Sequence, residues 1–138
     1  MRRYFIDANI FLRTIVVEDD ETLKQCLNFF QKIKISKIKA VTSKTVIAEV
    51  VWVLKSYYKL SRLQISEAIK KIINSRGLKI IDDGDVGLAT ELYQDNNIKY
   101  IDALIASIKP IFEKKWVVVS YDKDFDKLKI KRMEPGEV

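Results

Sequence analysis

The sequence contains no histidine and only one cysteine, Cys26, among its 138 residues. The absence of histidine excludes Ser-His-Asp and Cys-His catalysis and removes the ligands of most zinc sites. A single cysteine excludes a disulfide within the chain, which favours a reducing compartment, and we expect a cytoplasmic protein. Any catalytic chemistry must therefore use carboxylates, lysines, hydroxyls or a metal ion held by carboxylates.

Long apolar runs, internal repeats and low-complexity segments are also missing. No stretch approaches the roughly 18 apolar residues of a membrane span, and the start, MRRYFID, lacks the apolar core of a signal peptide. We therefore expect no membrane partner. Hydrophobic residues make up 48% and charged residues 32% of the chain, which is typical of a globular protein, and we predict one domain over residues 1–138.

The charge is basic, with 25 lysines and arginines against 19 acidic residues and a formal net charge of +6. A basic balance suits a polyanionic partner, nucleic acid above all, but it is also common in lysine-rich proteins. The charge alone therefore indicates a partner class only weakly.

Short apolar runs alternate with helical spacing along the chain, which predicts strands alternating with helices. The predicted strands are residues 3–6, 40–42, 78–81 and 116–120, with a further edge strand within 127–133. The predicted helices lie within residues 8–13, 18–33, 43–58, 61–74, 82–96 (from about Asp85) and 100–109. We expect Gly77 to end the fourth helix and Pro110 to break the last one. This alternation predicts an α/β fold, a three-layer α/β/α sandwich around a central parallel sheet of four to five strands.

Acidic residues follow the first predicted strand and the strand at 116–120. Asp7 comes after the first strand, and Asp122, Asp124 and Asp126 come after the strand at 116–120. In open α/β sheets, ligands bind beyond the carboxyl ends of the strands, so these positions predict a site. Each acid also has an ordinary explanation, because Asp7 can cap the next helix and lysines flank the three later aspartates.

Two further acids lie within predicted helices. Glu49 interrupts the apolar run VIAEVVWVL, and no basic residue lies three or four positions away to pair with it. Asp102 lies in the first turn of its helix, where the helix dipole favours an acid and Lys99 offers a partner. Glu49 therefore faces either a narrow solvent stripe or a cleft, and Asp102 has a structural explanation as well as a functional one.

Convergence of these acids at one end of the sheet would have a chemical consequence. Two unit charges about 4 Å apart repel by about 4 kcal/mol at an effective dielectric constant of 20. A cluster of Asp7, Glu49, Asp102 and Asp122 therefore needs a cation or raised pKa values. Ligand sets made only of oxygen atoms favour hard ions, so the expected cofactor is Mg²⁺ or Mn²⁺.

Four segments in this order resemble the PIN-domain nucleases, and most closely the VapC-type toxins of toxin–antitoxin pairs. They are FIDANIFLR, VTSKTVIAEVVWVL, KYIDALIASI and VVVSYDKDF, and the resemblance covers nearly the whole chain. The acidic quartet of the family maps onto Asp7, Glu49, Asp102 and Asp122, with Asp124 as a further acid and Asn9 and Ser120 as supporting residues. Ser43 matches a helix-opening serine and is expected to be a cap only. Asp126 has no counterpart and is interpreted as a surface acid.

The resemblance implies a divalent-metal-dependent endoribonuclease that hydrolyses RNA phosphodiester bonds. It implies the toxin of a type II pair, a small antitoxin protein as partner and a homodimer. Asp7 and Asp102 would be the central metal ligands, Asp122 with Asp124 would complete or orient a metal position, and Glu49 would ligate or act as a base through water. The alternatives are a housekeeping RNA-processing nuclease of the same fold and, in a different class, an RNA-binding module that does not cleave. A phosphoryl-transfer domain with Asp7 as nucleophile has little support, since the DAN stretch lacks the second aspartate.

The surface offers candidates for RNA contact. If five of the 19 acidic residues line a site, the other 14 face 25 basic residues, a balance of +11. The candidates for contact with the RNA backbone are Arg13, Lys44, Lys55, Lys59, Lys123 and Lys127. Trp52, Tyr57 and Tyr58 could stack on bases or form a protein interface, and the homodimer of the family favours the interface.

Overall fold

The structure, a computed structural model, describes residues 2–138 and is built around one parallel sheet. The strands are β1 (Arg3–Ile6), β2 (Lys39–Ser43), β3 (Leu78–Ile81), β4 (Trp116–Val119) and β5 (Arg132–Met133). The helices are α1 (Ala8–Ile15), α2 (Asp20–Lys34), α3 (Lys44–Ser56), α4 (Arg62–Ile73), α5 (Val86–Asp95), α6 (Tyr100–Ala106) and α7 (Lys109–Phe112). Two short 3₁₀ helices span Lys123–Leu128 and Pro135–Glu137.

The strand order is β3-β2-β1-β4-β5, and every neighbouring pair is parallel. The predicted α/β/α sandwich with a parallel sheet of four to five strands is confirmed, and the predicted edge strand is the two-residue β5. Phe5 in the central strand pairs with Val41 on one side and Val118 on the other, and all three are buried. Such apolar, largely β-branched strands suit a sheet covered by helices on both faces.

The sheet reverses its direction of growth at β1. The chain builds outward from β1 to β2 and β3, and then returns to place β4 on the free side of β1. A reversal of this kind leaves a crevice beyond the carboxyl ends of the two strands that flank it. Asp7 follows β1 and Ser120 follows β4, so the topology brings these two positions to the same crevice.

The helix boundaries agree with the sequence signals at most ends. The Ser43 hydroxyl accepts a hydrogen bond from the Val46 amide at 3.2 Å and caps α3, as expected. Asp85 caps α5 in the same way through the amide of Leu88. Pro110 is confirmed as a breaker, because α6 ends at Ala106 and Pro110 lies in the first turn of α7.

The prediction that Gly77 ends the fourth helix is wrong. Helix α4 ends at Ile73 with Asn74 as its C-cap, and Gly77 lies three residues further on with φ 86°. A Cβ at this position would lie 2.8 Å from the carbonyl oxygen of Ile33. Glycine is therefore required here by a left-handed turn and a close approach to α2, and not by the end of a helix.

Within residues 2–138, every helix is too short or too polar to cross a membrane.

Candidate active site

Asp7 lies at the point where β1 ends, buried at the crevice between β1 and β4. Its amide donates to the carbonyl of Val119 at 3.1 Å, which extends the pairing of β1 with β4 by one residue. One carboxylate oxygen accepts from the Ala8 amide at 2.8 Å and so caps α1. The other carboxylate oxygen accepts from the hydroxyl of Ser120 at 2.7 Å and from the side-chain amide of Asn9, through Nδ2, at 3.1 Å. Asp7 is therefore both the expected helix cap and a member of the crevice.

Ser120 and Asn9 form a rigid frame around Asp7. The Ser120 hydroxyl donates to Asp7 and accepts from Asn9 Nδ2 at 2.8 Å and from the Asp122 amide at 3.0 Å. Asn9 Oδ1 accepts from the amide of Tyr121 at 3.1 Å. These bonds link the loop after β4 to the start of α1, so they fix the distance between the two strand ends.

Asp122 and Asp124 extend the acidic site along this loop. Asp122 Oδ1 accepts from the backbone amide of Asp124 at 2.9 Å and caps the 3₁₀ helix that follows. The other oxygen, Oδ2, takes no part in this cap. The buried Phe125 and Leu128 hold this helix against the core. Carboxylate oxygens of Asp102, Asp122 and Asp124 all lie within 4.8 Å of one another.

Asp102 is the most deeply buried acid of the group, with 1% of its surface exposed. Among residues 2–138, no group donates a hydrogen bond to its Oδ2 atom. Burial raises the pKa of Asp102 to about 7, and Asp7, Asp122 and Glu49 add to the shift while Lys99 opposes it. A buried carboxyl oxygen without a donor is costly, so this atom is where a cation would gain most.

Burial also raises the pKa values of the two neighbouring acids. For Asp7, hydrogen bonds from Ser120 and Ala8 oppose the effect of burial. For Glu49, the charge of Asp7 adds to burial, and Lys99 opposes it. Shared burial and mutual repulsion are the electrostatic signature of acids held together in a cleft.

Glu49 projects from α3 toward these acids and pairs with a residue that sequence analysis did not connect to it. Lys99 Nζ lies 3.7 Å from Glu49 Oε1 and 3.8 Å from Asp122 Oδ2. Helical spacing pairs Lys99 only with Asp102 and leaves Glu49 without a partner, because spacing relates only residues of the same helix. The only feature of the sequence that could have placed Lys99 near Glu49 was its position in the same helical turn as Asp102, another predicted site residue.

Asp126 is a surface acid, as predicted, with a definite structural partner. Arg132 Nε and Nη2 donate to its two carboxylate oxygens at 3.0 and 3.2 Å. The same guanidinium donates through Nη1 to the Ser120 carbonyl at 2.9 Å and to Glu134 at 3.3 Å. Arg132 therefore ties the loop to β5 and holds the backbone of Ser120, a role that the sequence did not reveal.

The structure brings together the seven side chains predicted for the site. They are Asp7, Asn9, Glu49, Asp102, Ser120, Asp122 and Asp124. Their ligands are all oxygen atoms, which suits a hard divalent ion, and the orphaned Oδ2 of Asp102 gives such an ion a buried partner. The individual roles assigned to these residues stay predictions.

The candidate RNA-contact residues differ in their exposure and in whether they already have a hydrogen-bond or ion-pair partner. Lys127 pairs with Asp124 at 3.0 Å, and the half-buried Tyr58 donates to Glu18 at 2.6 Å. Trp52 and Tyr57 are 66% and 73% exposed and remain available for contact. Lys123, Lys55 and Lys59 are also exposed.

This fold and its cluster of carboxylates define an α/β protein with an acidic site of the kind that holds a hard metal ion. The PIN domain family matches residues 4–131, and the chain belongs to that family, whose members are nucleases. No curated protein matches the chain.

Solved structures of three other proteins share the fold, and two of them carry VapBC or VapC names. VapBC2 from Rickettsia felis, described as bound to a DNA fragment from its promoter, is 21% identical with a TM-score of 0.70, covering 96% of this chain and 98% of that one. PAE2754 from Pyrobaculum aerophilum is 16% identical with a TM-score of 0.69, covering 99% and 91%. VapC20 from Mycobacterium tuberculosis, described as a sarcin-ricin loop cleaving toxin, is 13% identical with a TM-score of 0.66, covering 92% and 95%.

Proposed function

We propose that this protein is a divalent-metal-dependent endoribonuclease that hydrolyses RNA phosphodiester bonds and acts as the toxin of a type II toxin–antitoxin pair. The observation that carries the proposal is the buried Asp102 Oδ2, to which no group of residues 2–138 donates, beside the carboxylates of Asp122 and Asp124. The similarity to VapC20, described as a sarcin-ricin loop cleaving toxin, supports RNA as the substrate.

The metal is proposed to be Mg²⁺ or Mn²⁺, held by Asp7, Asp102 and Asp122, with Asp124 and Glu49 as further ligands. Mg²⁺ usually keeps several of its waters and is bound through only a few carboxylates. One carboxylate oxygen from each of Asp102, Asp122 and Asp124 lies within 4.8 Å of the other two, so these three residues could hold an ion directly or through its waters.

The side chains would share the work of hydrolysis. A bound divalent ion supplies an activated water and neutralises charge on the scissile phosphate. Asp7 is held in place by Ser120 and Asn9, so its orientation is fixed before substrate binds. Glu49, whose pKa is raised by burial and by Asp7, would accept a proton from the attacking water or would itself hold the ion.

The partners follow from the family and from the surface. We infer that a small antitoxin protein silences the enzyme, supported by the similarity to the VapBC2 structure. We also infer a homodimer, supported by the exposed aromatic side chains of Trp52 and Tyr57. Residues 1–138 are proposed to form the single nuclease domain of this assembly.

The test is RNA cleavage by purified protein with Mg²⁺, with Mn²⁺ and with EDTA. Asp7→Asn and Asp102→Asn remove candidate ligands, and we expect each to reduce cleavage at least about 100-fold, since a lost metal ligand removes the activated water. Glu113→Gln is a control for the loss of one carboxylate charge, because Glu113 pairs with Lys115 at 2.9 Å just before β4 and away from the site. It should cleave as the wild type does.

Two outcomes would contradict this proposal. Equal cleavage by wild type, Asp7→Asn and Asp102→Asn would place the activity elsewhere. RNA binding without cleavage under any metal condition would favour the alternative of a binding module.

A housekeeping nuclease would cleave, but its expression without an antitoxin would not arrest growth.

A further inference from the structure

Lys99 is the one residue in the described site that carries a positive charge and contacts acids from two different elements. Its ammonium lies 3.7 Å from Glu49 on α3 and 3.8 Å from Asp122 after β4. The two lysines near the cluster thus pair with three of its acids, since Lys127 pairs with Asp124. Within residues 2–138, Asp7 and Asp102 have no cation at pairing distance.

The backbone of Lys99 is fixed by the same helical turn that presents Asp102. Its carbonyl accepts hydrogen bonds from the amides of Asp102 at 3.1 Å and Ala103 at 3.2 Å. The side chain therefore starts from a fixed point, and it is 59% exposed. A flexible four-carbon stem lets this charge move between the carboxylates and solvent without a change in the backbone.

We propose that Lys99 is an internal counter-ion that competes with the divalent metal for Glu49 and Asp122, and so sets the affinity of the site. This inference rests on the proposed metal-dependent function. Both carboxylates are candidate ligands, and a carboxylate that pairs with an ammonium group is a weaker ligand for a metal ion. Metal binding then requires the Lys99 ammonium to leave Asp122, and the ammonium moves to the solvent side of the crevice.

A competing lysine also has a benefit for the folded protein. It offsets part of the repulsion among carboxylates that burial and proximity create, and so keeps the cluster assembled when metal is scarce. Lys99 therefore lowers the affinity of the site for metal and raises the stability of the metal-free protein. Removing its charge must move these two quantities in opposite directions, which an ordinary surface lysine would not do.

The experiment is a titration with Mn²⁺ alone, with free Mn²⁺ measured by electron paramagnetic resonance. Lys99→Met removes the charge, Lys99→Arg keeps it, and Lys115→Met is the matched control. Lys115 pairs with Glu113 at 2.9 Å and directly precedes β4, so it lies at the amino ends of the strands, away from the site. Each protein is also unfolded thermally in EDTA.

We expect Lys99→Met to bind Mn²⁺ at least about fivefold more tightly than wild type, a few-fold effect because the exposed ammonium is partly screened by water. Lys99→Arg and Lys115→Met should stay within about twofold of wild type. In EDTA, Lys99→Met should unfold at a lower temperature than Lys115→Met. The gain in affinity should shrink in 0.5 M KCl, since salt screens the competing charge.

The outcomes separate this inference from the proposed function. If wild type binds Mn²⁺ and Lys99→Met binds it no more tightly than Lys115→Met, the counter-ion role is wrong and the metal site stands. If Lys99→Met binds more tightly but is not destabilised in EDTA, the stabilising effect of Lys99 on the metal-free protein is wrong. If wild type binds no Mn²⁺ at millimolar concentration, the metal site itself is wrong, and the role of Lys99 fails with it.

Discussion

At the scale of single residues, Asp102 shows the sharpest conflict between stability and function. It is buried, one of its oxygens has no hydrogen-bond donor among the described residues, and burial raises its pKa to about 7. An ordinary core would place an apolar side chain here. The conflict is typical of functional sites, which keep costly charges because the chemistry needs them.

The raised pKa of Asp102 predicts how stability changes with pH when metal is removed. Between about pH 4 and pH 7 the folded protein holds a proton on Asp102 that the unfolded chain has lost. The free energy of unfolding in EDTA should therefore fall as pH rises through this window. Asp7 and Glu49, whose pKa values are also raised, act in the same direction.

Asp102→Asn should flatten this dependence, because the amide does not titrate. We expect the fall in unfolding free energy between pH 5 and pH 8 to be about 1–3 kcal/mol smaller in the variant than in the wild type. Urea denaturation at several pH values in EDTA measures the difference. Parallel curves for the two proteins would show that Asp102 ionises normally in the folded state.

At the scale of elements, the loop after β4 shows why three aspartates alternate along one short stretch. Asp122 caps the 3₁₀ helix and faces the crevice, Asp124 joins the acidic cluster, and Asp126 binds Arg132. The three residues therefore have three separate partners. Arg132 also donates to the Ser120 carbonyl, so the loop is held from its outer side as well as from the crevice.

Removing Arg132 should loosen this loop and the site together. Arg132→Met leaves Asp126 and the Ser120 carbonyl without their donor, and we expect a loss of about 1–3 kcal/mol in unfolding free energy. Mn²⁺ binding should also weaken, because Ser120 orients Asp7 and the Asp122 amide. Arg62→Met, on the exposed start of α4, is the control. Denaturation and Mn²⁺ titration indistinguishable from Arg62→Met would contradict this role.

The elements also show which features the sequence could predict. Strands β1 and β4 are short apolar runs; Asp7 follows β1 directly and Asp122 lies three residues after the end of β4. That order of residues predicted both the sheet and the end of the strands that carries the site. The failures involve contacts between distant segments. Gly77 was assigned to a helix end because its close approach to Ile33 is tertiary, and the Lys99–Glu49 and Arg132–Asp126 pairs join elements that local spacing cannot relate.

At the scale of the whole molecule, an acidic crevice lies in a chain of net positive charge. Most lysines and arginines lie outside the cluster, where their positive charge can attract RNA without competing with the metal for the carboxylates. Attraction of this kind depends on release of counter-ions and is therefore sensitive to salt.

RNA binding by the non-cleaving Asp102→Asn variant should reflect this arrangement. For about three phosphate contacts to a single strand, the affinity should fall about tenfold or more between 50 and 200 mM salt. Fluorescence anisotropy with a labelled oligoribonucleotide measures the slope. Binding that is independent of salt would show that the basic surface does not contact the RNA backbone.

The pairing of β1 with β4 has a consequence for the newly made chain. Asp7 and Ser120 are 113 residues apart in sequence and meet only through this pairing. Until the ribosome has synthesised β4 and the strand has folded into place beside β1, Asp7 lacks its hydroxyl donor and the acids of the loop that follows β4. A nascent chain therefore lacks a complete acidic site for most of its synthesis, and the site forms only after the last third of the protein has left the ribosome and folded.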